Sequence, residues 1–205
     1  MFETSVEGRT SVSSDRAGHW GGFPHCWFGH RGGFGWGWGR HGFGWHRESG
    51  GDNNVVIEDS TLGDLSVRTG RGDDNVVVTG TSVDGKVHGW TGRGDDFVMA
   101  EDVSVKGRTT LQQGAGDDAL VTQGTNTFED DLYASGGCGD DARQISAETV
   151  FDGASKLRRF ESTSVDESVI EERGVATLAA AADLRSILNV PGGITAESDE
   201  GFVLV

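Results

Sequence analysis

The sequence predicts an all-β fold: a short, single-domain parallel β-helix, or β-solenoid, of about five coils of ~22 residues each. Three observations predict it. A glycine followed by an acidic or amide pair recurs at Gly51, Gly72, Gly94, Gly116 and Gly139, in steps of 21, 22, 22 and 23 residues. Short β-branched runs recur in phase with those glycines. Two glycine-marked turns per repeat leave no helical stretch between the runs.

Alignment on the shared glycine exposes the columns. Four residues after it stand Val55, Val76, Val98 and Leu120, with Arg143 in the fifth copy. Six residues after it stand Ile57, Val78, Ala100, Thr122 and Ile145. A second glycine recurs as Gly63, Gly85 and Gly107, with Asp130 in its place in the fourth copy. Each copy is too small to close its own core, so copies must stack and share one. A propeller blade needs about 40 residues, and leucine-rich repeats need a Leu-x-x-Leu-x-Leu frame that is missing here.

The elements follow in order. Residues 1–49 form an N-terminal segment expected to be disordered: 1–18 is polar, and 19–47 is a low-complexity run of Gly, Trp, Phe, His and Arg. Its His19, His25, Cys26, His30, His41 and His46 match no standard zinc spacing. Residues 50–161 hold the coils. Residues 162–205 read as an acidic loop to 173, a helix over 174–189 closed by Pro191-Gly192-Gly193, and a tail whose FVLV offers one more strand. An open solenoid end is a sheet edge prone to pair with other chains, so this helix is expected to cap it.

Charge separates the halves. The 205-residue chain has a net charge of −16, with +1 over residues 1–50 and −17 over the rest. That argues against a nucleic-acid partner, because phosphate binding needs a basic patch. No apolar run is long enough for a membrane span, and the N-terminus carries no apolar signal core. Cys26 and Cys138 form no disulfide framework, although one bridge between them is open. The sequence leaves the oligomeric state undetermined.

The chemistry lies in the acidic turn. In stacked coils the first acids form the column Asp52, Asp73, Asp95, Asp117 and Asp140; the second form Asn53, Asp74, Asp96, Asp118 and Asp141. Rungs about 4.8 Å apart repel by roughly 1 kcal/mol in water, and by about 3–4 kcal/mol at an effective dielectric of about 20. Such columns need compensation, and Ca²⁺ takes carboxylate and carbonyl oxygens as its ligands. Asp and Asn also favour turns for their own backbone hydrogen bonds, so a purely structural repeat without metal stays open.

Gly70-Arg71-Gly72-Asp73-Asp74-Asn75-Val76 resembles the haemolysin-type (RTX) calcium nonapeptide, as do Gly92–Val98 and Gly114–Leu120. The resemblance spans about residues 50–145 and implies Ca²⁺ between stacked turns, bound by Asp74, Asp96 and Asp118, with Asp141 as a poorer copy. The leading glycine of that motif is Thr69, Thr91 and Gln113 here, and the motif comes once per coil instead of in tandem nines. The candidate metal ligands are therefore Asp73, Asp74, Asp95, Asp96, Asp117, Asp118, Asp140 and Asp141.

A motif repeated in every coil marks a turn and not an active centre, so no catalytic residue is assigned. The Arg-Gly-Asp tripeptides at 71–73 and 93–95 lie inside the repeat and are read as part of the turn. Glu58-Asp59, Glu101-Asp102 and Glu129-Asp130-Asp131 have no recurring His or Lys beside them. The expectation is a non-enzymatic, extracellular or cell-surface β-solenoid with a structural or adhesive role, binding Ca²⁺ and meeting cell-surface or polysaccharide ligands. The alternative, by fold analogy, is a carbohydrate-active or carbohydrate-binding β-helix of the pectate-lyase kind.

Overall fold

The structure is a computed structural model and describes residues 4–13, 51–188, 194–198 and 201–204. The low-complexity run 19–47 and the Pro191-Gly192-Gly193 stop lie outside these residues. Five coils wind into a three-faced parallel β-solenoid, as the period predicts.

The first face stacks Asn54–Glu58, Asn75–Thr79, Phe97–Glu101, Ala119–Gln123 and Ala142–Gln144, all parallel. The second stacks the start of Ser60–Arg71 with Ser82–Val83, Ser104–Val105, Thr127–Phe128 and Val150–Phe151. The third stacks the rest of Ser60–Arg71 with Val87–Arg93, Thr109–Ala115, Leu132–Cys138 and Ser155–Arg158. Sequence columns become structural columns: Val55 pairs with Val76, Val76 with Val98, Val98 with Leu120, and Leu120 with Arg143.

Alternation along each strand points one set of side chains inward. Val55, Ile57, Val76, Leu62, Val83 and Leu65 belong to this buried interior, which runs the length of the stack. Phe128 and Phe151 stack within it at 5.7 Å between ring centres. The first face is apolar on its outer side as well, where Val56, Val77, Phe97, Met99, Ala119 and Val121 are all buried. Strands covered on both faces read as continuous apolar runs, and VVI, VVV and FVM do so here.

What covers that outer side corrects the expected helix position. The helix does not cap the open end but lies along the first face, with Ile170 and Ala181 buried against it and Val165, Val169 and Leu178 packed beside them. Burying the apolar stripe of Val56, Val77, Phe97, Met99, Ala119 and Val121 removes it from water, and that favours this position. The helical segment also starts earlier than expected. Asp166 caps its N-terminus by accepting the Ser168 N–H at 2.9 Å, so Glu167–Val169 is already helical. A π-helical turn over Ile170–Val175 follows, then Ala176–Leu188. The wide turn buries both Ile170 and Gly174 against the face. It also lets Arg173 reach Asn75 Oδ1 at 2.7 Å and the Asp74 carbonyl at 3.0 Å, with its guanidinium 5.8 Å from the Phe97 ring centre.

The first-coil edge is closed from two directions. Thr4–Ser13, expected to be disordered, is instead a parallel strand on Ser60–Arg71, pairing Val6 with Leu62 and Val12 with Val67. Its β-branched residues at period two supply the signal that its polar composition masks. On the first face, Ile194–Ser198 pairs antiparallel with Asn54–Glu58, and Gly201–Leu204 pairs with it in turn, so the tail does add strand. At the last coil, the edge strands are only three, two and four residues long and carry Arg143, Lys156 and Arg158, features that discourage edge-to-edge pairing.

Candidate functional site

The turn joining the third face to the first begins with glycines in the left-handed region. Gly72 and Gly94 have φ of 112° and 117°, and a Cβ on Gly94 would run into the Gly72 carbonyl oxygen. Only glycine lets successive coils approach this closely at that φ. Each turn then places its two acids in different surroundings.

The first acids form an exposed outer column whose carboxylates reach forward one coil. Asp52 Oδ1 accepts the Asp73 N–H at 2.8 Å, Asp73 Oδ1 the Asp95 N–H at 2.8 Å, Asp95 Oδ1 the Asp117 N–H at 2.8 Å, and Asp117 Oδ1 the Asp140 N–H at 2.9 Å. The second acids form a buried inner column that reaches backward. Asp74 Oδ1 accepts the Asn53 N–H at 2.8 Å, Asp96 Oδ1 the Asp74 N–H at 3.0 Å, Asp118 Oδ1 the Asp96 N–H at 2.8 Å, and Asp141 Oδ1 the Asp118 N–H at 2.9 Å. Glu161 Oε2 closes the series on the Asp141 N–H at 2.9 Å. Turn amides that no strand partner reaches are thus satisfied by carboxylates, from opposite directions in the two columns.

The inner column carries a deficit. Asp74, Asp96, Asp118 and Asp141 are at most 1 % exposed, and the second oxygen of each is buried with no hydrogen-bond partner. Thr69 and Thr91 lie against Asp74 and Asp96, but their hydroxyls donate to the Thr91 and Gln113 carbonyls, at 3.1 and 3.0 Å. Gln113, next in that column, has its own Oε1 buried and unpartnered. Burial pushes the Asp96 carboxyl up to about 7, Asp118 to about 8 and Asp141 to about 6, with neighbouring rungs adding repulsion. Asp74 is raised too, chiefly by burial, against the opposing pull of the Thr69 hydroxyl and of Asn53.

All eight sequence-predicted site residues therefore lie on one edge of the solenoid, in two parallel columns. Once ionised, the buried oxygens without partners are acceptor-only groups of the kind a hard cation takes, so the donor chemistry of the deprotonated column fits Ca²⁺. Among the described residues no three His, Cys, Asp or Glu side chains converge on a single point. Cys138, at the end of the neighbouring third-face strand, is disulfide-bonded, and its partner lies outside the described residues.

The remaining acids go elsewhere. Asp59 and Asp102 turn the chain from the first face to the second with φ of 46° and 53°, alternating with Gly80 and Gly124 at 56° and 60°. Asp102 Oδ1 accepts the Thr125 N–H at 2.8 Å. Their signal in the sequence is an alternation of Asp and Gly at one repeat position, two residue types that tolerate the left-handed region. Asp84 pairs with Lys106 at 2.7 Å on the edge before the third face.

No protein-family model matches the chain, and neither a curated protein nor a solved structure shows detectable similarity to it.

Proposed function

We propose that the protein is a non-enzymatic β-solenoid serving a structural or adhesive role outside the cell or at its surface, with Ca²⁺ binding along the ladder of acidic turns. The observation that carries the calcium part is the inner column of carboxylates with buried, unpartnered oxygens. It runs beside an outer column that spends one oxygen per rung on an amide. Asp73, Asp95, Asp117 and Asp140 on the outer side, and Asp74, Asp96, Asp118 and Asp141 on the inner side, would hold the ions. A bound ion would offset the repulsion between rungs and supply the inner oxygens with a positive partner, so that each coil is tied to the next. Turn carbonyls and water would complete its shell.

The structural role rests on the interior. The described coils share one apolar column closed at the first-coil edge, the arrangement of a rod whose second and third faces are left uncovered by the helix that lies along the first. Repetition of the acidic pair in every coil supports binding by an array over catalysis at a point. The test is calorimetric titration of the full chain with CaCl₂ after treatment with chelator: saturable heat is expected, reduced in an Asp96→Asn/Asp118→Asn variant. Absence of heat at millimolar Ca²⁺ would remove the calcium part and leave the bare structural repeat.

A further inference from the structure

The outer side of the third face differs in charge from the rest of the molecule. Its strand segments, residues 65–71, 87–93, 109–115, 132–138 and 155–158, contain none of the chain's 33 acidic residues. They carry Arg68, Arg71, Arg93, Lys156, Arg158 and His88. None of the five Arg and Lys takes part in the Lys106–Asp84 and Arg108–Asp131 ion pairs of the described residues.

Register sets what this face displays. Arg68 pairs with Trp90, Trp90 with Gln112, Gln112 with Ser135, and Ser135 with Arg158, so one outward column crosses all five coils. A second outward column contains His88, Thr110, Tyr133 and Lys156. Between them Val67, Leu111, Ala134 and Leu157 turn inward to the core. Trp90 is 37 % exposed, one of few large apolar side chains left at the surface of the described residues. The local field is positive: besides burial, the charges of Arg68 and Arg9 hold the His88 imidazole below its usual value. A net charge of −16 makes an acid-free face with an exposed indole a feature that needs its own explanation.

We propose that this face binds an anionic, hydroxyl-rich linear polysaccharide, a polymer of uronic acids laid along the coil stack. The inference deepens the adhesive part of the function proposed above by naming its ligand class. Each part of the face answers to one part of such a polymer. The Trp90 ring is a flat amphipathic platform for the apolar side of a sugar. Thr110, Gln112, Tyr133 and Ser135 give and accept hydrogen bonds to hydroxyls. Arg68, Arg71 and Arg93 toward the first coils, with Lys156 and Arg158 on the last, complement carboxylates at the two ends of the track. Rungs at about 4.8 Å present these groups as a regular series, suited to a ligand that also repeats. A nucleic acid fits less well, because its dense phosphates would be repelled by the surrounding acidic edges and require more neutralising bases.

The test is affinity electrophoresis of the full chain in gels containing polygalacturonate, dextran or a single-stranded oligonucleotide, at low salt with EDTA. Retardation by polygalacturonate alone is expected, weakening as salt rises. Trp90→Ala and Arg68→Ser/Arg158→Ser should each weaken it by about tenfold, equivalent to roughly 1.4 kcal/mol, with circular dichroism unchanged. Gln112→Glu, which puts an acid into the exposed column, should weaken it comparably and serves if another variant misfolds. Equal retardation by dextran, stronger retardation by the oligonucleotide, or variants that bind as wild type would each overturn the proposal. Polygalacturonate binding seen only when Ca²⁺ is added would also overturn it, and would place the contact on the acidic edge. A melting temperature raised by Ca²⁺ without any retardation would overturn this inference while leaving the calcium reading intact.

Discussion

Asp118 reaches back one coil to accept the backbone N–H of Asp96 at 2.8 Å, while its other oxygen lies buried with no partner. The two residues show how the turn is built: a carboxylate replaces the strand partner that a turn amide lacks. Asp118→Ala should cost about 1–3 kcal/mol, the cost of a buried amide left unsatisfied. Asp118→Asn keeps an acceptor for the Asp96 N–H and should cost much less. Urea denaturation of the two variants checks the difference.

Stability should fall as pH rises. Burial lifts the folded-state carboxyls of Asp141, Asp96 and Asp118 to about 6, 7 and 8. In that window the folded state binds more protons than the unfolded chain, whose carboxylates titrate near 3.9. The stabilisation is therefore complete below about pH 4 and is lost as pH climbs through about 6 to 8. The Asp166 cap, lowered by its Ser168 hydrogen bonds, works in the opposite direction at acid pH. Melting temperature measured from about pH 5 to pH 9 should decline, and Asp96→Asn/Asp118→Asn should flatten the decline.

The turn glycines admit no side chain. At Gly94 both φ and the Gly72 carbonyl oppose a Cβ. Gly94→Ala is expected to cost about 1–3 kcal/mol in backbone strain, before the clash is relieved by a shift between coils. The denaturation midpoint in urea reads it directly.

The lateral helix should unlatch at Ile170. That side chain is 1 % exposed between the helix and the first face. Ile170→Ala should destabilise by about 2–5 kcal/mol and raise binding of an apolar dye as the outer stripe of Val77, Phe97 and Met99 is uncovered.

The period made the coils legible, because Val55, Val76, Val98 and Leu120 occupy one column in sequence and in space. The acid columns were legible as columns, but not their opposed direction, since alternation does not say which way an exposed or buried carboxylate leans. The helix position was misread because FVM and VVV look like core strands whether one or both faces are covered. Thr4–Ser13 was missed because its polar residues resemble a disordered tail, and pairing with a distant strand outweighs local composition. The basic face was visible in principle: each third-face window lacks acids, a pattern that net charge conceals.

The most direct measurement is the melting temperature of the full chain against Ca²⁺ at a pH near 8, for the wild type and for Asp73→Asn/Asp95→Asn/Asp117→Asn. Calcium bound only to the folded ladder should raise the wild-type midpoint, by about 2.7 kcal/mol of stability at a hundredfold excess over the dissociation constant. The variant should respond little. An unchanged wild-type midpoint and far-ultraviolet spectrum, or an equal rise in both proteins, would contradict calcium binding at the acidic turns.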